Sequence, residues 1–115
     1  MHRLTVDRET QVTVVTALGE LDAFVAPDLT ATFSDVADDR RLVVDLTGVS
    51  FMDSTALGLL ARMVREAPER SAEVRVVLPR SAARRIFEIT TLDRVLPVCA
   101  SRAEALAELD GDAPS

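Results

Sequence analysis

The sequence predicts an α/β fold, in which a mixed four- to five-stranded β-sheet is covered by about four α-helices. Short valine-rich runs alternate along the chain with stretches whose apolar residues recur every three or four positions, the patterns of strands and helices. The chain opens with two strand-like segments in succession, which is typical of an antiparallel hairpin. A hairpin followed by alternating strands and helices favours a mixed sheet with helices packed on it. We expect a single domain over residues 1–110 and a disordered tail at 111–115.

The first third of the chain predicts the hairpin and one helix. Alternating apolar residues indicate a half-buried strand around Leu4 and a second strand that ends near Leu18. A short polar turn separates the two. Pro27 suits the first turn of a helix, where its missing amide is harmless. The core-facing residues expected of that helix are Leu29, Phe33, Val36 and Ala37.

The centre of the chain, residues 42–60, predicts a buried strand followed by a helix. The strand is rich in β-branched residues. It is expected to end near Leu46, because Gly48 is a turn residue and should break it. After a second apolar patch, Asp53 and Ser54 precede the helical pattern. Asp, Ser and Thr cap the first free amides of helices, so Ser54 is expected at a helix N-terminus. The predicted core stripe of this helix is Leu57, Leu60, Ala61 and Val64.

The last third predicts two strands and two helices. Val74–Leu78 is the next strand, and a helix that Ser81 can cap follows it, with Ala83, Ile86 and Phe87 facing inward. A short extended piece at Val98-Cys99 comes next. Ser101 and Glu104 have the spacing of a capping box, which predicts the start of the final helix.

Composition excludes several classes of function. The net charge of −6 and the 3% of aromatic residues argue against a nucleic-acid partner. His2 is the only histidine and Cys99 the only cysteine, so neither a serine–histidine catalytic pair near Ser54 nor a zinc site is expected. The chain is therefore expected to be no enzyme and to carry no cofactor or metal. Three acids, Asp22, Asp45 and Asp53, could meet near one loop, but they match no metal-binding motif.

Apolar runs are far shorter than the roughly 20 residues that a membrane helix needs, so no membrane partner is expected. The N-terminus lacks the pattern of a signal peptide, and a lone cysteine fits a reducing compartment. These observations favour a cytoplasmic protein.

Three stretches of the chain resemble one known family. Phe51-Met52-Asp53-Ser54-Thr55-Ala56-Leu57-Gly58 resembles the phosphorylation-site signature of STAS domains of the anti-sigma factor antagonist type. Gly19-Glu20-Leu21-Asp22, followed by Ala26-Pro27, resembles the second landmark of that family, and Thr91-Leu92-Asp93-Arg94-Val95-Leu96 resembles the third. The order and spacing match over nearly the whole chain. Ala56 departs from the family, which usually has Gly at this position.

The resemblance implies a partner-switching role. The unphosphorylated domain would bind an anti-sigma factor that is itself a serine kinase, and this binding would release a sigma factor. The kinase would phosphorylate Ser54 and so end the interaction, and a serine phosphatase would reset the switch. The residues expected to contact partners are Asp22, Asp53, Thr55, Ala56, Leu59, Arg62 and Met63.

Several of these residues also have simpler interpretations. Asp53 and Ser54, taken without context, are ordinary helix-capping residues. Leu59 and Met63 are either a contact patch or part of a broad core face, and Arg62 is either a partner contact or a solvated side chain. A second hypothesis for the whole chain is a STAS scaffold subunit of a transporter or stress-signalling complex that is not phosphorylated.

Overall fold

A computed structural model describes residues 2–9, 11–78 and 97–111 of the chain. Its five strands form one sheet in the order β1-β2-β3-β4-β5. β1 and β2 are antiparallel, whereas the other neighbouring strands are parallel, so the predicted hairpin and mixed sheet are both confirmed. The strands are β1 (His2–Arg8), β2 (Thr13–Leu21), β3 (Arg41–Met52), β4 (Glu73–Val77) and β5 (Val98–Cys99).

The structure describes three α-helices, α1 (Ala26–Asp35), α2 (Ser54–Glu66) and α3 (Arg102–Gly111). A short 3-10 turn, Ala23–Val25, precedes α1, and another, Ala67–Arg70, follows α2. The predicted helix from Ser81 and the landmark at residues 91–96 lie outside the described residues. α3 continues into Gly111, and residues 112–115 of the predicted tail are also outside the described residues. No helix in the described part of the chain is long and apolar enough to cross a membrane.

The core has two parts, because consecutive residues of a strand point to opposite faces of the sheet. Val15, Val44 and Val76 belong to the larger cluster, which α1 and α2 cover. Their neighbours Val14, Val43 and Val77 belong to a smaller cluster that α3 covers with Ala105 and Leu109. The valine runs are therefore buried on both faces, as expected of central strands.

Two predicted strand ends differ from the structure. β2 continues past Leu18 to Leu21, and β3 runs through Gly48 to Met52. Gly48 does not break β3, because β2 pairs beside it and supplies hydrogen bonds through two shifts of register. Leu18 of β2 lies over Gly48, where a Cβ would overlap the Leu18 Cδ2 atom. The glycine admits a close approach of the neighbouring strand rather than a turn.

β3 is longer than its neighbour β4, and this difference places the candidate site. β3 pairs with β4 only as far as Asp45, opposite Val77. Beyond that point it pairs with β2 as far as Met52, opposite Leu21. The two strands therefore carry the residues that follow them, Asp22 and Asp53, to one end of the sheet.

A polar contact joins α3 to the middle of the sheet. The Arg102 guanidinium donates to Asp45 Oδ2 at 2.7 and 3.0 Å and to Thr16 Oγ1 at 3.1 Å. Asp45 Oδ1 accepts from the Thr47 amide at 2.9 Å. Burial raises the pKa of Asp45, but the hydrogen bonds from Thr47 and the Arg102 charge outweigh burial and hold this pKa below its ordinary value.

Candidate functional site

The site is built on the first turn of α2. Asp53 is the N-cap residue, and its Oδ1 accepts from the Ala56 amide at 3.0 Å. The Asp53 carbonyl accepts from the Leu57 amide at 3.0 Å. Ser54 is the first residue of the helix, as the capping pattern predicted, and both Ser54 and Thr55 are exposed. The Ser54 hydroxyl is therefore open to solvent at a rigidly capped helix start.

A second capped turn lies directly beside the first. The Asp53 amide donates to the Leu21 carbonyl at 3.0 Å, which places Asp22 next to Asp53. Asp22 Oδ1 accepts from the Phe24 amide at 3.0 Å and so caps the 3-10 turn that precedes α1. This turn packs against α2. Both predicted acids are thus held in place, because each carboxylate accepts a hydrogen bond from a backbone amide of the turn that it caps.

The two capping carboxylates have no cation paired with them among the residues that the structure describes. Each aspartate uses one carboxylate oxygen in its cap, and within the described residues no basic side chain pairs with either of them. Positive potential comes instead from the N-terminus of α2, which favours an anion there. The side chains described beside Ser54, those of Asp22 and Asp53, are therefore negatively charged, although the N-terminus of α2 itself favours an added anion.

The predicted core face of α2 needs a correction. The buried residues are Ala56, Leu57, Leu60 and Met63, whereas Ala61 and Val64 are only partly buried. Ala56 is 0% exposed, so its side chain is not available to a docking partner, and Met63 is 6% exposed. The Ala56 methyl group points into the core, and it does not stand where a partner backbone would approach.

The outer side of α2 is polar and borders a groove. Arg62 is exposed and forms an i,i+4 ion pair with Glu66 at 3.3 Å, a contact of small energetic value. Leu59, half-buried, lines a groove of about 260 Å³ between α1 and α2. Leu59 therefore stays partly accessible, whereas Met63 belongs mainly to the core and contributes only a small surface to the same groove.

Two exposed aromatic side chains flank the site and were not predicted. Phe24 is 92% exposed in the 3-10 turn that Asp22 caps. Phe51 is 47% exposed near the end of β3. Large exposed apolar groups beside a polar cluster are typical of interaction surfaces. The sequence offered no signal for them, because phenylalanine is ordinarily a core residue.

Asp45 does not meet Asp22 and Asp53 near one loop. Asp45 lies eight positions before Asp53 along a continuous strand, roughly 25 Å away at about 3.3 Å per residue. Among the described residues, Cys99, Glu104 and Glu108 are close enough to share an ion. Their groups already have partners, because Glu104 accepts from the Ala100 amide, and Glu108 pairs with Arg75 and accepts from Cys99. Burial, followed by the nearby Glu108 carboxylate, raises the pKa of Cys99 to about 12, so its thiol stays protonated.

The fold and the site together define a small α/β domain that exposes Ser54 at the start of α2, a helix whose apolar face packs on the sheet. The chain belongs to the STAS domain family, whose sequence profile matches residues 3–105. The anti-sigma-B factor antagonist of Staphylococcus aureus is 33% identical over 82 residues, which cover 70% of this chain and 76% of that protein. The corresponding protein of Listeria monocytogenes is 31% identical over 94 residues, covering 80% and 82% of the two chains.

A solved structure extends the likeness to the whole fold. The crystal structure of an anti-sigma factor antagonist from Mycobacterium paratuberculosis superposes with a TM-score of 0.85. The two sequences are 30% identical, and the match covers 94% of this chain and 93% of the other. The predicted STAS fold is therefore confirmed.

Proposed function

We propose that this chain is an anti-sigma factor antagonist controlled by phosphorylation of Ser54. Its unphosphorylated form binds an anti-sigma factor that is a serine kinase, and this binding frees a sigma factor in the bacterial cytoplasm. The kinase then phosphorylates Ser54 and the complex dissociates, until a serine phosphatase restores the hydroxyl. The chain is a kinase substrate in this scheme and performs no catalysis itself.

The observation that carries the proposal is the exposed Ser54 at the capped start of α2. The names of the relatives support the general role, and this serine supplies a place for the switch. A kinase must reach the hydroxyl, and the exposed first turn permits that without local unfolding. The helix N-terminus also favours a bound dianion, so the modified chain can keep its fold.

The contact surface proposed for the partner surrounds this serine. Asp22, Asp53 and Thr55 lie at its centre, and Phe24 adds an exposed apolar side chain. Leu59 and Arg62 extend it along the outer side of α2. Ala56 is not part of it, because its side chain is fully buried, and Met63 adds only the small surface that it contributes to the groove beside Leu59. A mixture of fixed acids and one exposed aromatic group suits a partner surface that carries basic residues around an apolar pocket.

Intact-mass analysis tests the phosphorylation site. After incubation with the cognate anti-sigma kinase and ATP, the chain should gain a single phosphate, and Ser54→Ala should gain none. Thr55→Ala is the matched control and should be phosphorylated like the unmodified chain. Phosphate on Ser54→Ala would move the site elsewhere. If the unmodified chain and Thr55→Ala both bind the kinase stably and neither gains a phosphate, the scaffold hypothesis is favoured.

Variants of the two capping acids separate folding from partner binding. Asp22→Ala should change the free energy of unfolding by no more than about 0.5 kcal/mol, because Asp22 caps only a three-residue 3-10 turn. Asp53→Ala should lower it by about 1 kcal/mol, the usual cost of removing an N-cap from an α-helix. Asp53→Asn keeps a capping oxygen and should retain most of that stability. Chemical denaturation measures all three.

The same three variants should bind the kinase more weakly than the unmodified chain. Asp53→Asn is the informative one, since it removes a charge and largely keeps the helix cap. Normal kinase affinity for both Asp22→Ala and Asp53→Asn, measured by calorimetry, would remove these acids from the proposed contact surface.

A further inference from the structure

We infer that β1 is a self-pairing edge, through which two copies of this chain form a two-fold symmetric dimer with one continuous ten-stranded sheet. This inference is independent of the proposed function, because β1 lies outside the proposed partner surface. It follows from the position of β1, from the order of its side chains and from the charges that the fold leaves unpaired.

The first observation is the exposed edge. β1 is one of the two outer strands of the sheet and pairs, within the described residues, with β2 alone. Its other side therefore presents a row of backbone donors and acceptors over seven residues, His2–Arg8. Proteins commonly protect such an edge with proline, charged side chains, a bulge or a very short strand. β1 contains no proline, and its register with β2 is regular throughout. It does carry charged side chains, so a second copy can pair with it favourably only in a register that sets opposite charges against each other.

The second observation is that the sequence of β1 is complementary to itself in one antiparallel register. When the two-fold axis passes beside Thr5, Thr5 opposes its own copy and Leu4 opposes the Val6 of the second chain. Arg3 then opposes the second chain's Asp7, and the symmetry produces this charge pair twice. The register also sets His2 opposite the second chain's Arg8, and both of these side chains are engaged by acids of their own chain. An axis beside Leu4 would instead place Arg3 against Thr5, and an axis beside Val6 would place Asp7 against Thr5 and Arg3 against Glu9, which lies past the end of β1. Opposite charges directly across two strands stabilise a pair, and like charges destabilise it.

The third observation concerns the charges themselves. His2 and Arg8 are engaged within the chain, His2 with Asp28 at 3.0 Å and Arg8 with Asp35 and Asp39 at 3.4 and 3.2 Å. Arg3 and Asp7, in contrast, are exposed and have no ion-pair partner in the described part of the chain. The two charges that the proposed register requires are therefore the two that the fold leaves available.

The apolar side chains of β1 would also be brought together by the dimer. Leu4 and Val6 are half-buried and pack against the larger core cluster on the α1 side of the sheet. In the dimer each is placed beside its counterpart from the other copy, which extends this cluster across the axis. Leu4, which the second chain's Val6 would oppose, lines a groove of about 300 Å³ together with His2, Arg3, Asp28, Ala31 and Thr32.

Charge reversal tests the register. Sedimentation equilibrium of the full chain should show a concentration-dependent approach to twice the monomer mass of 12.5 kDa. Arg3→Asp or Asp7→Arg alone should weaken dimerisation by at least about tenfold, because each places like charges opposite each other twice. The double variant, Arg3→Asp with Asp7→Arg, restores both pairs and should dimerise like the unmodified chain. Asp38→Arg, on an exposed loop, is the matched control and should have no effect.

A cross-link tests the axis independently. Thr5→Cys places two thiols directly opposite each other at a separation that a disulfide can span, so mild oxidation should yield a covalent dimer. Glu9→Cys, just past the strand, should cross-link poorly because its copy lies far away in this register. The native Cys99 gives little background, since it is buried with a raised pKa. The inference is overturned by a monomer at all concentrations, by a double variant that stays monomeric while folded, or by equal cross-linking at both positions.

Discussion

Phosphorylation of Ser54 is expected to weaken binding of the anti-sigma partner about a thousandfold while leaving the backbone of the domain in place. The phosphate adds a charge of about −1.5 to −2 at the first residue of α2. It joins Asp22 and Asp53, whose carboxylates are fixed by their capping hydrogen bonds and cannot turn away without losing them. A docked partner would have to desolvate this charge beside the two acids.

The helix itself has little reason to move. Leu57 and Leu60 anchor α2 in the core, with 6% and 1% of their surfaces exposed. A shift of α2 would expose them, whereas the helix dipole favours the new anion where it stands. Unfavourable charge juxtaposition at an interface costs several kcal/mol, and about 4 kcal/mol corresponds to a thousandfold loss of affinity.

Calorimetry on the unmodified, phosphorylated and Ser54→Ala proteins measures this effect, with amide chemical shifts recorded for each. Ser54→Ala should bind well and stay bound in ATP. Ser54→Asp should weaken binding only partly, because it adds about one charge. Equal affinities of the unmodified and phosphorylated proteins would refute the switch. Shift changes spread across the whole sheet would refute a local electrostatic mechanism.

Arg102→Ala is expected to lower the free energy of unfolding by about 2 kcal/mol at pH 7. The variant removes both charged hydrogen bonds to Asp45 and leaves a carboxylate that is only 9% exposed without its cation. The estimate is below that for a fully buried pair, because Arg102 is 42% exposed and Thr47 still donates to Asp45. Arg65→Ala, an exposed arginine of α2, is the matched control and should change stability by no more than about 0.5 kcal/mol.

The effect of Arg102→Ala should depend on pH. The pKa of Asp45 in the folded chain lies below the ordinary value of 3.8, so the ionised carboxylate stabilises the fold above that pH. This contribution is lost as the pH falls through the folded pKa. The difference between the variant and the unmodified chain should therefore be full at pH 7 and shrink below about pH 4. An equal difference at pH 7 and at pH 3, measured by denaturation, would show that packing rather than the ion pair causes it.

Local chemistry explains why much of the fold and the start of the site could be predicted. Each local signal acts over only a few residues. The valine run predicts β3, Pro27 predicts the start of α1, and Asp53-Ser54 predicts the start of α2. The continuation of β3 through Gly48 could not be predicted in this way, because it depends on the neighbouring strand. The Arg102–Asp45 contact likewise joins residues 57 positions apart, beyond the reach of any short pattern.

The orientation of α2 and the exposure of the aromatic groups show a second limit. Leu57 and Leu60 belong to two overlapping apolar faces of α2, one continued by Ala61 and Val64 and the other by Ala56 and Met63. The rotation of the helix as it packs on the sheet buries the second face. Periodicity cannot choose between stripes that differ by a small rotation. Phe24 is apolar yet 92% exposed, and nothing in its sequence neighbourhood distinguishes it from a core residue.

The antiparallel course of β1 has a practical consequence for measuring partner binding. His2 lies opposite Gly19, only three residues before Asp22, so anything fused ahead of β1 emerges at the same end of the sheet as Ser54. α3 runs the other way, from Arg102 beside Thr16 to Leu109, which packs with Val12 ahead of β2. Surface immobilisation or a fluorescent reporter placed beyond α3 therefore keeps the Ser54 end of the sheet free, whereas an affinity handle ahead of β1 would crowd a partner that docks there.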